Sequence, residues 1–358
     1  MLHEPFYDPN KSYETNYKEG PFGAFLNPEK IIEQNAPQYD FLGHKVFLPF
    51  GIAAGPLLNA KFVKAALDMG FDLPVYKTVR TKFLACHQWP NVLGVQLEGD
   101  LTLEKAKAGL TAKDGYDEPL SITNSFGVPS ADPDVWQSDM ADCVRYAKDG
   151  QVVIGSFQGT KQGDGKPESF IADYVLAAKL VKETGAKVLE ANFSCPNEGT
   201  SSLACFDIGF VKKTSEAIKN EIGNTPLLVK FAYFEDDTHL RNMVKEIADT
   251  IDGIATINTV PAAVRKSNGE QALPGEGRLV SGICGHGVKW AGLDMARRLK
   301  AIREELGMKF TIVGVGGVTV AEDYDEYIKA GADAVMSATG AMWNPFLARE
   351  IKEIRNKK

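Results

Sequence analysis

Eight short apolar runs, each separated from the next by a helical pattern, set the tightest limit on what this chain can fold into. They are "VFLPFGIAAG" (46–55), "LPVYKTV" (73–79), "QVVIGSFQG" (151–159), "KVLEANFS" (187–194), "PLLVKFAYF" (226–234), "GIATINTV" (253–260), "KFTIVGVGG" (309–317) and "DAVMSATG" (333–340). Their apolar residues run nearly without a break instead of alternating, which is the pattern of a strand covered on both faces, as in parallel sheets. Between them, "SFIADYVLAAKLVKETGAK" places Phe170, Tyr174, Ala177 and Val181 at helical spacing, with Gly185 where a C-terminal cap belongs. "GLDMARRLKAIREELGMK" and "AEDYDEYIKAGA" read the same way. Eight strands alternating with helices predict an α/β chain folded as a (β/α)8 TIM barrel, with a doubly wound sheet as the alternative.

At 358 residues, 44% of them hydrophobic, the chain can fill one barrel and carry insertions. Residues 1–45 are rich in Pro, Tyr, Asn and charge, and read as an N-terminal extension wrapping the fold, with a short helix near "NPEKIIEQ". The barrel is expected over 46–350, and 351–358, ending in "IRNKK", as a solvated C-terminal tail. Two connections are long, 80–150 and 260–288, and loops of that length in a compact barrel usually build or cover a site. The net charge of −7 argues against a nucleic-acid surface or an anionic membrane as partner. No run approaches the roughly eighteen apolar residues of a membrane span, and the first twenty residues have neither the basic nor the apolar region of a signal peptide. Cys86, Cys143, Cys195, Cys205 and Cys284 form no CxxC pair and lie beside no histidine at metal spacing, so reduced thiols in the cytoplasm and no metal site are expected.

In a barrel, polar residues at the strand C-termini face the site, whereas the strand bodies fill the interior. The strand ends here are Ala53-Ala54-Gly55, Lys77-Thr78, Gln158-Gly159, Asn192 with Ser194 and Cys195, Lys230, Asn258-Thr259, Gly316-Gly317 and Ala338-Thr339. Lysines and asparagines closing apolar strands are costly to bury without partners, and together they point to a ligand more than to separate rim hydrogen bonds. "GVGG" and "SATG", after the last two strands, sit where barrels hold the phosphate of a cofactor. Cys195 follows a strand end and opens the glycine- and serine-rich stretch "CPNEGTSS", a setting for an acid or base. Cys205 competes with it from the same region, whereas Cys86, Cys143 and Cys284 have no such setting.

"LEANFSCPN" resembles the "N-x-S-C-P-N" signature of class 1 dihydroorotate dehydrogenases, flavin enzymes built on an FMN-binding barrel. The resemblance runs in order from about residue 46 to 350. "NSFGVP" is similar to the family's substrate loop "N-x-x-G-L-P", "YKT" to "T-K-S", "VKFAY" to "V-K-L", "INTV" to "N-T/S" and "GVGGV" to its phosphate turn. It implies that Ala53, Ala54, Gly55, Lys77, Thr78, Asn124, Asn192, Lys230 and Asn258 surround the FMN ring, with Ser281, Gly282, Gly316, Gly317, Ala338 and Thr339 along its ribityl phosphate. Lys77, Asn124, Phe126, Gly127, Val128, Asn192, Asn197, Asn258 and Thr259 would bind dihydroorotate or orotate, with Cys195 as the base and Lys230 as the stabiliser of charge on the reduced ring. The chemistry fits these types: carboxamides match ring N–H and C=O edges, and an ammonium balances a carboxylate. A homodimer is implied, and some relatives add an electron-transfer subunit; the acceptor is fumarate, a quinone or NAD.

The sequence also departs from that pattern. Residues 1–45 match nothing in the short cytosolic enzymes, and Ala338 stands where glycine is usual. "SSLACFD" and "TINTV" resemble the flavin domain of dihydropyrimidine dehydrogenase, which keeps a neutral dihydropyrimidine open as an alternative substrate. A tRNA dihydrouridine synthase would need a basic face, and a barrel that merely binds a ligand would leave Cys195 and Lys230 without a purpose.

Overall fold

The computed structural model describes residues 2–33, 35–194 and 204–356. All eight expected runs form strands of one parallel sheet: β1 (Phe50–Ile52), β2 (Val75–Val79), β3 (Ile154–Phe157), β4 (Val188–Asn192), β5 (Leu227–Phe231), β6 (Gly253–Thr256), β7 (Thr311–Val315) and β8 (Ala334–Ser337). Their order, β1-β8-β7-β6-β5-β4-β3-β2, makes every chain neighbour a sheet neighbour and brings β8 back onto β1. Between β1 and β2 the closure is made by Phe50 O, which accepts from Asp72 N at 3.1 Å and Leu73 N at 3.2 Å. A Cβ on Gly51 would lie 1.8 Å from Leu73 O, so glycine alone lets the two stretches meet. The sheet is a (β/α)8 barrel.

Inside it, Val75, Ile154, Val188, Leu228, Ala255, Val313 and Met336 pack in one cluster with Phe41 and Val46. Those last two belong to an antiparallel hairpin, Tyr39–Phe41 with His44–Val46, which plugs the end where the strands begin. Outside, the helix Pro167–Glu183 buries Phe170, Tyr174, Ala177 and Val181, as its spacing predicts, and Gly185 follows the Thr184 cap at φ +85°.

The two long connections are not loops. They supply a second, five-stranded sheet over the other end of the barrel, from Val92–Gln96, Leu110–Lys113, Ser121–Asn124, Val260–Arg265 and Val280–Gly285. This cap closes on itself, Leu110 pairing with Val264.

Two expectations at the chain's ends are corrected. Of "NPEKIIEQ", the described residues 27–33 are not helical; the N-terminal helix is Tyr13–Glu19, where Ser12 accepts from Thr15 N at 3.1 Å as N-cap. The boundary at 350 falls inside a helix, Leu347–Asn356, whose Ile351 is buried and whose Lys352 pairs with Asp72, so this stretch docks on the barrel instead of trailing into solvent. Among the described residues, no helix is long and apolar enough to cross a membrane.

Candidate active site

The strand C-termini and the cap enclose a pocket that, with its open mouth, holds about 1000 Å³ of space free of protein atoms. Its wall brings together Ala53, Ala54, Gly55, Lys77, Thr78, Asn124, Phe126, Gly127, Val128, Asn192, Lys230, Asn258, Thr259, Ala338 and Thr339, residues spread over nearly 290 positions of chain. Lys77 and Thr78 are consecutive, yet both reach the wall because the register of β2 on β3 shifts between Tyr76 and Val79.

On the pocket floor the carboxamides hold one another. Asn192 Nδ2 donates to Gln158 Oε1 at 2.9 Å, and Asn192 Oδ1 accepts from Ser194 N, Ser194 Oγ and Asn258 Nδ2 at 3.2–3.3 Å. Tyr174 fixes the backbone beneath by donating to Asn192 O at 2.8 Å. Beside this network Lys230 is 4% exposed, and among the described residues no acid pairs with it. The described wall contains two lysines and no Asp or Glu, in a chain whose net charge is −7. An unpaired ammonium away from water is costly, so such a wall suits an electron-rich or anionic ligand.

The loop "NSFGVP" is clamped from below. Gly127 (φ +76°) and Val128 (φ +51°) are both left-handed, and a Cβ on Gly127 would lie 2.4 Å from His87 Nε2. For β-branched Val128 that conformation is strained, and Arg80 Nε, donating to Val128 O at 3.1 Å, helps hold it. Arg278, 5% exposed, donates to Ser125 O at 2.8 Å and to the carbonyls of Gln88, Pro90 and Pro274, tying the loop to the cap.

Four expected cofactor residues do not reach the wall. Gly316 and Gly317 lie beyond Val315, which does. Ser281 is buried against Thr123 Oγ1 at 2.5 Å, and Gly282 lies behind Thr259, whose Oγ1 would be 2.5 Å from a Cβ there. Cys195 and Asn197 fall outside the described residues. Cys205 is withdrawn as the competitor of Cys195: it is fully buried, its N–H donates to Phe193 O at 2.9 Å, and burial pushes its thiol up to about 12. Cys284 is corrected the other way, since it lines the pocket and its Sγ accepts from Asn124 Nδ2 at 3.2 Å. Sequence reasoning also missed Tyr7, Arg80 and Arg278. Tyr7 lies in an aperiodic segment, and lone arginines carry no spacing signal.

Comparison with known proteins decides the family. The family model for dihydroorotate dehydrogenase matches residues 102–357. The chain is 35% identical to the dihydroorotate dehydrogenase of Dictyostelium discoideum over 97% of its own length and 96% of that protein's. It belongs to the dihydroorotate dehydrogenase family. The catalytic subunit of dihydroorotate dehydrogenase B (NAD(+)) of Thermodesulfovibrio yellowstonii is 27% identical over 74% of the chain and 80% of that protein. The fold of the family recurs in a crystal structure of the DHODH of Eimeria tenella with ferulenol, at TM-score 0.71 and 20% identity, covering 92% of this chain and 88% of that one. With 97% of the chain aligned to the Dictyostelium dehydrogenase, most of residues 1–45 is shared with a family member, so the N-terminal segment is not foreign to the family.

Proposed function

We propose that this chain oxidises dihydroorotate to orotate with bound FMN, in the manner of the class 1 enzymes. The observation that carries the reading is the buried Lys230 without an acid partner among the described residues, in a described wall of carboxamides and lysines that lacks carboxylates. The residues fit the cofactor. The hydroxyl of Thr259, 9% exposed on the wall and without a hydrogen-bond partner among the described residues, offers a ligand a hydrogen bond. Gly317 (φ +68°) turns so tightly that a Cβ would lie 2.5 Å from Lys289 Cβ, and pairing of β7 with β8 sets this turn beside Ala338 and Thr339. Ala53, Ala54, Gly55, Thr78 and Lys230 would hold the ring; Ala338 and Thr339, with the Gly316-Gly317 turn just beyond the pocket wall, would lie along the ribityl phosphate.

When bound, FMN supplies the acceptor for the hydride leaving C6 of the substrate. The chain does the rest. Lys77 balances the substrate carboxylate, while Asn124, Asn192, Asn197 and Asn258 match the N–H and C=O edges of the planar ring. Lys230 provides positive charge where electron density collects. Cys195 takes the proton from C5. The network from Gln158 through Asn192 to Asn258 keeps two of the amides from turning.

Purified protein should be yellow, release FMN by mass analysis, and turn over dihydroorotate with one of fumarate, a quinone, or NAD with a partner subunit. A colourless protein after reconstitution, or faster oxidation of dihydrouracil than of dihydroorotate, would reject the reading. The homodimer that goes with it is checked by sedimentation.

A further inference from the structure

We propose that Tyr7, carried to the pocket by the N-terminal segment, is a substrate-binding residue whose phenol donates a hydrogen bond to an acceptor oxygen of the carboxylated pyrimidine. This rests on the reading above and adds a contact from outside the barrel. Tyr7 is 2% exposed and forms part of the pocket wall with Lys77, Asn124 and Phe126. Its hydroxyl oxygen has no hydrogen-bond partner among the described residues. Buried hydroxyls are seldom left unmade, because each then forfeits its hydration for nothing.

The fold has no structural use for that O–H. The segment is fastened through its neighbours: Phe6 N donates to Met342 O at 3.2 Å, Phe22 N to Phe6 O at 3.0 Å, and the Phe6 ring stacks on Phe25 at 4.2 Å. Tyr7 itself packs by its ring, edge-on to Phe126 at 5.7 Å. A phenylalanine would pack as well, so the hydroxyl points to a ligand. Phe126 belongs to the loop that begins at Asn124, and the Tyr7 ring packs on it within the wall that Lys77 also lines, which sets Tyr7 at the substrate end of the pocket. Burial above all, then nearby Cys86, Tyr13, Glu14 and Asp8, hold the phenol far above the ordinary tyrosine range, so it stays a neutral donor.

The experiment compares wild type with Tyr7→Phe as flavin-loaded enzymes. Orotate is titrated against the visible flavin spectrum, and FMN affinity is measured on the stripped proteins by flavin fluorescence. Expected are a roughly tenfold weaker Kd for orotate and a similar rise in KM for dihydroorotate, with FMN affinity and Tm unchanged. A wild-type orotate Kd in Tyr7→Phe overturns the inference, as does weaker FMN binding with orotate untouched, which would assign the hydroxyl to the cofactor. If wild type itself neither binds orotate nor oxidises dihydroorotate, the reading falls and this inference with it.

Discussion

At the scale of single residues, the pocket holds groups that stability alone would not select. Lys230 is a buried ammonium with no acid partner among the described residues. Lys230→Met removes an unpaired charge at similar volume, so Tm should hold or rise while flavin reduction by dihydroorotate in stopped flow slows by about two orders of magnitude. Asn192 behaves differently because neighbours hold its amide at both the nitrogen and the oxygen. Asn192→Ala takes one hydrogen bond each from Gln158 and Asn258 and two from Ser194, and their loss costs about 1–3 kcal/mol, a ten- to hundredfold loss in kcat/KM with the fold intact. These residues were legible as types at strand ends. Their mutual hydrogen bonds were not, since the ends of β3, β4 and β6 supply them across 34 and 66 positions of chain.

At the scale of elements, the barrel closes because one glycine lets two chain segments touch. Gly51→Ala would drive a Cβ into Leu73 O, a backbone atom that cannot rotate away. A loss of about 3 kcal/mol or more is expected, read as a fall in the denaturant midpoint. The eight strands themselves were readable because burial on both faces makes each a continuous apolar run. The cap strands escaped notice for the opposite reason. Val260–Arg265 is buried only at alternate positions and carries Pro261, and Ser121–Asn124 spans four residues, too short for a period to show. The cap strands Ser121–Asn124 and Val280–Gly285 carry Asn124 and Cys284 to the pocket.

For the whole molecule, a cluster at the foot of the barrel joins both chain ends to its floor. Lys352 of the last helix meets Asp72 Oδ2 at 2.9 Å and also Glu33 of the N-terminal segment, and Asp72 accepts from Leu48 N at 2.9 Å. Burial raises the Asp72 carboxyl from 3.8 to about 7, against the pull of Lys352. The folded state therefore favours the protonated form, whose stabilisation is complete below about pH 4 and is lost as pH rises through 7. Wild type should lose stability relative to Asp72→Asn across that window, by up to about 1.4 kcal/mol per pH unit, and level off above it. Thermal melts of the two proteins from pH 4 to 8 test this, and parallel curves would refute it.

Taken alone, the sequence determined the barrel and the residue types at its rim, because strand burial and strand-end polarity are local patterns, visible within ten residues. The order of the rim residues around the sheet followed too, since each strand of such a barrel lies beside the next. Tertiary structure decided the rest. It turned two long connections into a cap, removed Cys205 from the site by burying it, and brought Cys284 into it. It also carried Tyr7 across the fold to Phe126, 119 positions away in the chain. The physical reason is common to all four. Burial and hydrogen bonding belong to groups that meet through space, and the pattern around one residue does not record what the fold sets against it.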